Sequence, residues 1–156
     1  MTNREEDRPE VVALPPLIYL AFLLMGFAMD YFRPVTVVPA SVQYIAGFTI
    51  IALAGVIIVP AVLQFRRAST SFSDFAPATQ LVTRGLYRLS RNPSYVALTL
   101  LYVGIGVAAD NLWIVAGLVP ILIVMHYGVI VREEQYLERA FGEEYLQYKA
   151  SVRRWV

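Results

Sequence analysis

Leu81-Val82-Thr83-Arg84-Gly85-Leu86-Tyr87-Arg88-Leu89-Ser90-Arg91-Asn92-Pro93-Ser94-Tyr95 decides how this chain is read. It lies between two long apolar runs, carries three arginines and ends on a strong helix-start signal. Pro93 reads as the first helical residue and Asn92 as its N-cap. The exposed N–H groups of such a start can hold an anion. Downstream, Glu133 and Glu134 form a pair of acids just beyond an apolar run, on a predicted helix leaving the membrane. Together these two elements are expected to hold a charged cofactor at the membrane surface.

The chain has 156 residues, 58% hydrophobic and 16% charged, against about 45–50% and 25% in average soluble domains. This predicts one membrane domain spanning 1–156, with two N-terminal spans over 11–63 and the remaining elements over 64–156. A net charge of +1 gives no global basic field for nucleic acid. The absence of cysteine removes disulfides, thiolate metal sites and a cysteine nucleophile. His126, the sole histidine, cannot build a multi-histidine centre, and no metal is expected. The acidic N-terminal decapeptide lacks a small-residue cleavage pattern before a short apolar core, so no removable signal peptide is expected.

Four apolar runs organise the rest. Residues 11–32 are long enough to span a bilayer core of about 30 Å, with Pro15 and Pro16 in the first turns, where proline costs least. Residues 42–63 form a second run, in which Gly47 and Gly55 are possible close-packing points and leave a dimer open. Residues 94–109 are short for a full crossing and need local thinning or protein at their ends. After the Asp110-Asn111 turn, 112–131 is the fourth run and completes a helical hairpin. From Arg132, Tyr136, Leu137, Ala140 and Phe141 recur at three- and four-residue steps among charges, which predicts an amphipathic helix. Gly142 should stop it, a second short helix should cover 143–152, and Arg153, Arg154 and Trp155 suit an interfacial anchor. The expected fold is therefore all-α and polytopic, with about four membrane helices plus interfacial and C-terminal amphipathic helices.

Charge sets the expected orientation. The connection 64–91 carries Arg66, Arg67, Arg84, Arg88 and Arg91 against Asp74 alone, while the two outer connections hold only Arg33 and Asp110. The positive-inside rule then places both termini and the cofactor elements in the cytoplasm.

Each motif also has a structural explanation. Residues 91–95 could be only a basic interfacial residue, a cap and a proline start. Gly104-Ile105-Gly106 cannot be a dinucleotide turn, since no strand precedes it; it reads as close helix packing, or as a gap where a ring or methionine chain approaches the backbone. Glu133 and Glu134 differ by about 100° in direction on a helix, so one can face inward while the other is solvated. Asp30 and His126 are ionisable groups in apolar runs, near enough to span ends to be structural.

At Leu81-Val82-Thr83-x-Gly85-x-Tyr87, Arg91-Asn92-Pro93-Ser94-Tyr95, Glu133-Glu134 and Phe141-Gly142-Glu143-Glu144-Tyr145-x-x-Tyr148, the chain resembles the isoprenylcysteine carboxyl methyltransferase family. It is also similar to the phospholipid N-methyltransferases, which pair a Gly-x-Gly with a Glu-Glu. The resemblance covers about 79–154. It implies an integral membrane methyltransferase using S-adenosylmethionine without a Rossmann domain. Carried over position by position, the cofactor contacts are Thr79, Gln80, Leu81, Val82, Tyr87, Asn92, Pro93, Ser94, Tyr95 and Glu133. Gly104, Gly106 and Glu134 join through the phospholipid-methylating branch.

Two positions depart from the pattern. Asn92 replaces a histidine before proline, and Val129 stands where the prenylcysteine enzymes place a substrate-contacting arginine. A carboxylate acceptor would then need Arg132, Arg88 or His126 as counter-charge. An amine acceptor would need to lose a proton to Tyr95, His126 or a glutamate. Tyr95, Arg132 and His126 are the catalytic candidates. The acceptor is expected to be amphiphilic, a prenylated or related small lipid entering from the bilayer. Two rival expectations are an NADPH-dependent reductase, whose C-terminal helical arrangement is similar, and a non-catalytic membrane scaffold.

Overall fold

Proline has no amide hydrogen, so a helix carries it at least cost in its first turn. A computed structural model describes residues 10–67 and 81–155, apart from the side chains of 65–67. Two of its helices, α1 (Pro15–Phe32) and α3 (Pro93–Ala108), begin on proline. The sequence reading starts the first span at Val11, four residues too early. The residue before a proline is pushed out of the α region, and Leu14 sits at φ −59°, ψ 127°. The segment before α1 instead docks on the chain's C-terminal half, where the Val12 amide donates to the Gly128 carbonyl at 3.1 Å.

Helix α2 (Ala40–Arg67) runs beyond the expected end at Leu63 and carries Pro60 inside. After α3, α4 (Leu112–Val124) passes through a π-helical turn, Met125–Ile130, into α5 (Val131–Phe141). No break separates the fourth apolar run from the amphipathic segment. One continuous helix changes from apolar to charged at Arg132. Gly142, at φ 53°, ends α5, and α6 (Glu143–Ser151) follows.

All regular structure among the described residues is helical. Pro15–Phe32, Ala40–Gln64 and Leu112–Phe141 are long and apolar enough to cross a membrane. Helix α3, with 16 residues, rises only about 24 Å. It lies along α2 and against α4, while α1 packs mainly on α4. Gly47 permits the α2–α3 approach: a Cβ there would come within 2.6 Å of the Ala108 backbone. Gly55 faces open space instead. Ile18, Tyr19, Tyr102, Ile114, Ile121 and Met125 fill the core between α1, α3 and α4. Outward, Leu24, Ile45 and Val56 are 60–73% exposed. An apolar face this open belongs against lipid.

The α3–α4 turn closes one end of the bundle. Asp110 adopts φ 51° and accepts the amides of Val37 at 2.6 Å and Val38 at 3.0 Å, bonds that lower its carboxyl pKa. Buried Asn111 caps α4, accepting the Ile114 amide at 3.0 Å and donating to the Gly26 carbonyl at 3.4 Å. Asp30 is a local structural acid that accepts the Val35 amide at 3.4 Å.

Candidate active site

The opposite end of the bundle gathers the loop before α3, the start of α5, α6 and the C-terminal tail. A single 3₁₀ turn, Gly85–Arg88, shapes the loop. Gly85 opens it at φ 63°, and a Cβ there would run into the Gln64 side chain. Tyr87 is buried with Tyr145 and Tyr148, and Leu81 and Val82 pack against the three rings. The Tyr148 hydroxyl donates to the Tyr87 carbonyl at 2.7 Å, and the Tyr145 and Tyr148 rings meet edge-on at 6.1 Å. Burial pushes the Tyr87 hydroxyl up to about 12, with the Ser94 hydroxyl lowering it and the Glu133 charge raising it. Tyr87 is therefore protonated at neutral pH. Thr79 and Gln80 lie outside the described residues.

The two elements singled out in the sequence meet. The Tyr95 hydroxyl, in the first turn of α3, donates to Glu133 Oε1 on α5 at 2.6 Å. Pro93 is buried at the helix start, and Ser94 lies beside it within reach of Tyr87. Asn92 differs from expectation: its side chain makes no capping bond. Its Nδ2 donates instead to the Arg154 carbonyl at 3.0 Å, and its amide donates to Ser90 Oγ at 3.1 Å. The bond to Arg154 orients the side chain toward the C-terminal tail, while the oxygen that a local cap would use accepts no helix N–H. Asn111→Ala is accordingly expected to destabilise the protein by about 1–2 kcal/mol as a lost buried cap. Asn92→Ala should cost only about 1 kcal/mol, the value of one hydrogen bond. Thermal melting of the two variants in detergent checks the order.

Glu134 is buried, and three cations converge on it. Arg154 binds it bidentately, Nε to Oε1 and Nη2 to Oε2, each at 2.8 Å. Arg91 Nη1 lies 3.3 Å from Oε1 and Lys149 Nζ 3.7 Å from Oε2. Of the adjacent acids, then, Glu134 faces inward as a structural charge and Glu133 is the half-buried one beside Tyr95. Lys149 also pairs with Glu138. The Arg154 guanidinium is raised above its ordinary pKa, chiefly by its hydrogen bond to Glu134.

The remaining candidates sit elsewhere or are engaged otherwise. A Cβ on Gly104 would come within 2.8 Å of Ile51 Cγ1 and 3.0 Å of its backbone nitrogen. One on Gly106 would come within 2.8 Å of Ile114 Cγ2. Helices α2 and α4 therefore occupy the gaps beside these glycines, and helix packing explains both. Arg132 is exposed and donates to the Glu10 carbonyl at 2.8 Å. His126 lies in the π turn with its ring edge-on to Tyr127 at 4.7 Å. Val129 is fully buried in the core.

Sequence reasoning missed the roles of Arg91 and Arg154. Both read as interfacial basic residues, yet each closes on Glu134. A usable signal existed: an acid on the inner face of α5 needs a cation, and Arg91 and the Arg153-Arg154 pair were available.

This fold and site define a helical membrane protein in which an acidic helix closes on a loop at one end of the bundle. The chain belongs to the phospholipid methyltransferase family, whose model matches residues 42–144. Forty residues are 48% identical to an uncharacterized protein of Haemophilus influenzae, a match covering 26% of this chain and 64% of that protein. The chain thus spans a little under two thirds of the curated relative it matches.

Proposed function

We propose that this protein is an integral membrane methyltransferase that takes its methyl group from S-adenosylmethionine and delivers it to an amphiphilic, lipid-accessible acceptor. The observation that carries the reading is the 2.6 Å hydrogen bond from Tyr95 to Glu133, which joins two elements 38 residues apart. Family membership supports it. The residues present fit the cofactor's chemistry. Glu133 supplies a half-buried carboxylate that can accept from ribose hydroxyls or pair with a cationic group. Tyr87, Ser94 and Tyr95 add hydroxyls beside it, and Leu81 and Val82 add apolar walls. Thr79 and Gln80 remain candidates from the sequence. Glu134 acts as support, its oxygens being held by Arg154 and Arg91. When bound, the cofactor supplies an already activated methyl on a sulfonium. The protein's part is to position, to exclude water and to hold charge.

The acceptor is best read as an amine-bearing lipid. A carboxylate would want a cation, yet Val129 is apolar and buried and Arg132 is tied to the Glu10 carbonyl, which leaves exposed Arg88 and His126 in the π turn as the remaining counter-charges. An amine must lose its proton, and the hydrogen-bonded Glu133 and Tyr95 are the candidates to receive it. The basic residues of the loop support a cytoplasmic position for the site. The test is transfer of labelled methyl groups by the purified protein in nanodiscs. Label should appear in amine-headgroup phospholipids. Label confined to prenylcysteine would favour the carboxylate acceptor. No transfer, with stabilisation by NADPH alone, would assign the reductase, and no response to either cofactor would leave a scaffold.

A further inference from the structure

We propose that Arg154 is a positioning residue for this site, acting as a strap that fastens the loop before α3 to α5; the inference rests on the methyltransferase reading. Val152, extended at φ −127°, ψ 135°, ends α6 and turns the chain toward the loop. The next two residues then hold both walls of the site at once. On the loop side, the Arg91 amide donates to the Arg153 carbonyl at 2.9 Å. The Arg154 carbonyl accepts Asn92 Nδ2 at 3.0 Å and Ser90 Oγ at 3.3 Å. On the α5 side, the Arg154 guanidinium grips Glu134 with two parallel bonds of 2.8 Å. Asn92 leads directly into the first turn of α3, where Tyr95 bonds Glu133, the residue before Glu134. One tail residue therefore ties both walls together, and it adds to the direct Arg91–Glu134 contact between them. The planar fork of arginine suits this; the point charge of lysine does not reproduce two parallel bonds. Arg153 contributes through its carbonyl while its side chain is exposed.

The test uses the full chain in nanodiscs, with hydrogen exchange at the Arg91 amide and titration of S-adenosylhomocysteine as separate readouts. Arg154→Gln should speed exchange at Arg91 roughly tenfold and weaken S-adenosylhomocysteine binding roughly tenfold. Exchange around the Asn111 turn should stay at its wild-type rate. Arg154→Lys should fall between, and decides the matter if Arg154→Gln does not fold. Arg153→Ala should change neither readout. Wild-type exchange at Arg91 in both Arg154 variants, or undiminished binding, overturns the strap. If the wild-type protein fails to bind S-adenosylhomocysteine, the cofactor reading falls, and exchange at Arg91 still tells whether the strap exists.

Discussion

Glu134→Ala is expected to destabilise the protein by about 3–5 kcal/mol, the cost of removing one partner from a buried ion pair. The penalty is carried mainly by Arg91, whose side chain is 9% exposed and would keep its charge without its carboxylate. Arg154 and Lys149, at 30% and 36%, can turn to solvent and contribute less. Glu134→Gln retains an acceptor oxygen and should cost less than the alanine variant. In a chain of this size the alanine change corresponds to a fall in melting temperature on the order of 10 °C. Melting of the two variants side by side in one detergent checks both the size and the order. Equal, small shifts would mean the cluster is solvated rather than buried.

The second large effect should appear in binding rather than stability. Glu133→Ala is expected to weaken S-adenosylhomocysteine binding by about 10–100-fold, as hydrogen bonds to a charged group are worth about 1.5–3 kcal/mol. Glu138→Ala is the control, since Glu138 lies on the same helix and pairs with Lys149. A partly exposed ion pair of that kind is worth about 0–1 kcal/mol, so binding should change little. Calorimetric titration of both variants distinguishes a site from a generally acidic helix. Matching losses would reduce Glu133 to surface charge.

Much of the fold was legible because apolar length and proline position are local properties. Pro93 opens α3 and Gly142 ends α5 where the sequence placed them. The Tyr95–Glu133 approach followed from the two motifs lying at the same end of a hairpin. What escaped depends on contacts distant in sequence. Asn92 has every local mark of a cap, but its Nδ2 donates to a carbonyl 62 residues away and its side chain makes no capping bond. The π turn carries no composition signal that separates it from the α-helix around it. Gly104 and Gly106 lie two residues apart, yet one meets α2 and the other α4, which only the packing decides. Arg154 looked like a membrane anchor until its partner Glu134 proved to face inward.

The central claim is that residues 81–95 and the first turns of α5 form two walls of one cofactor site. Photo-crosslinking of methyl-labelled S-adenosylmethionine to the purified full-length protein, followed by peptide mapping, tests it most directly. Label should enter both 81–95 and 131–139 and be displaced by excess S-adenosylhomocysteine. Label absent from both segments, or undiminished by the competitor, would contradict the account.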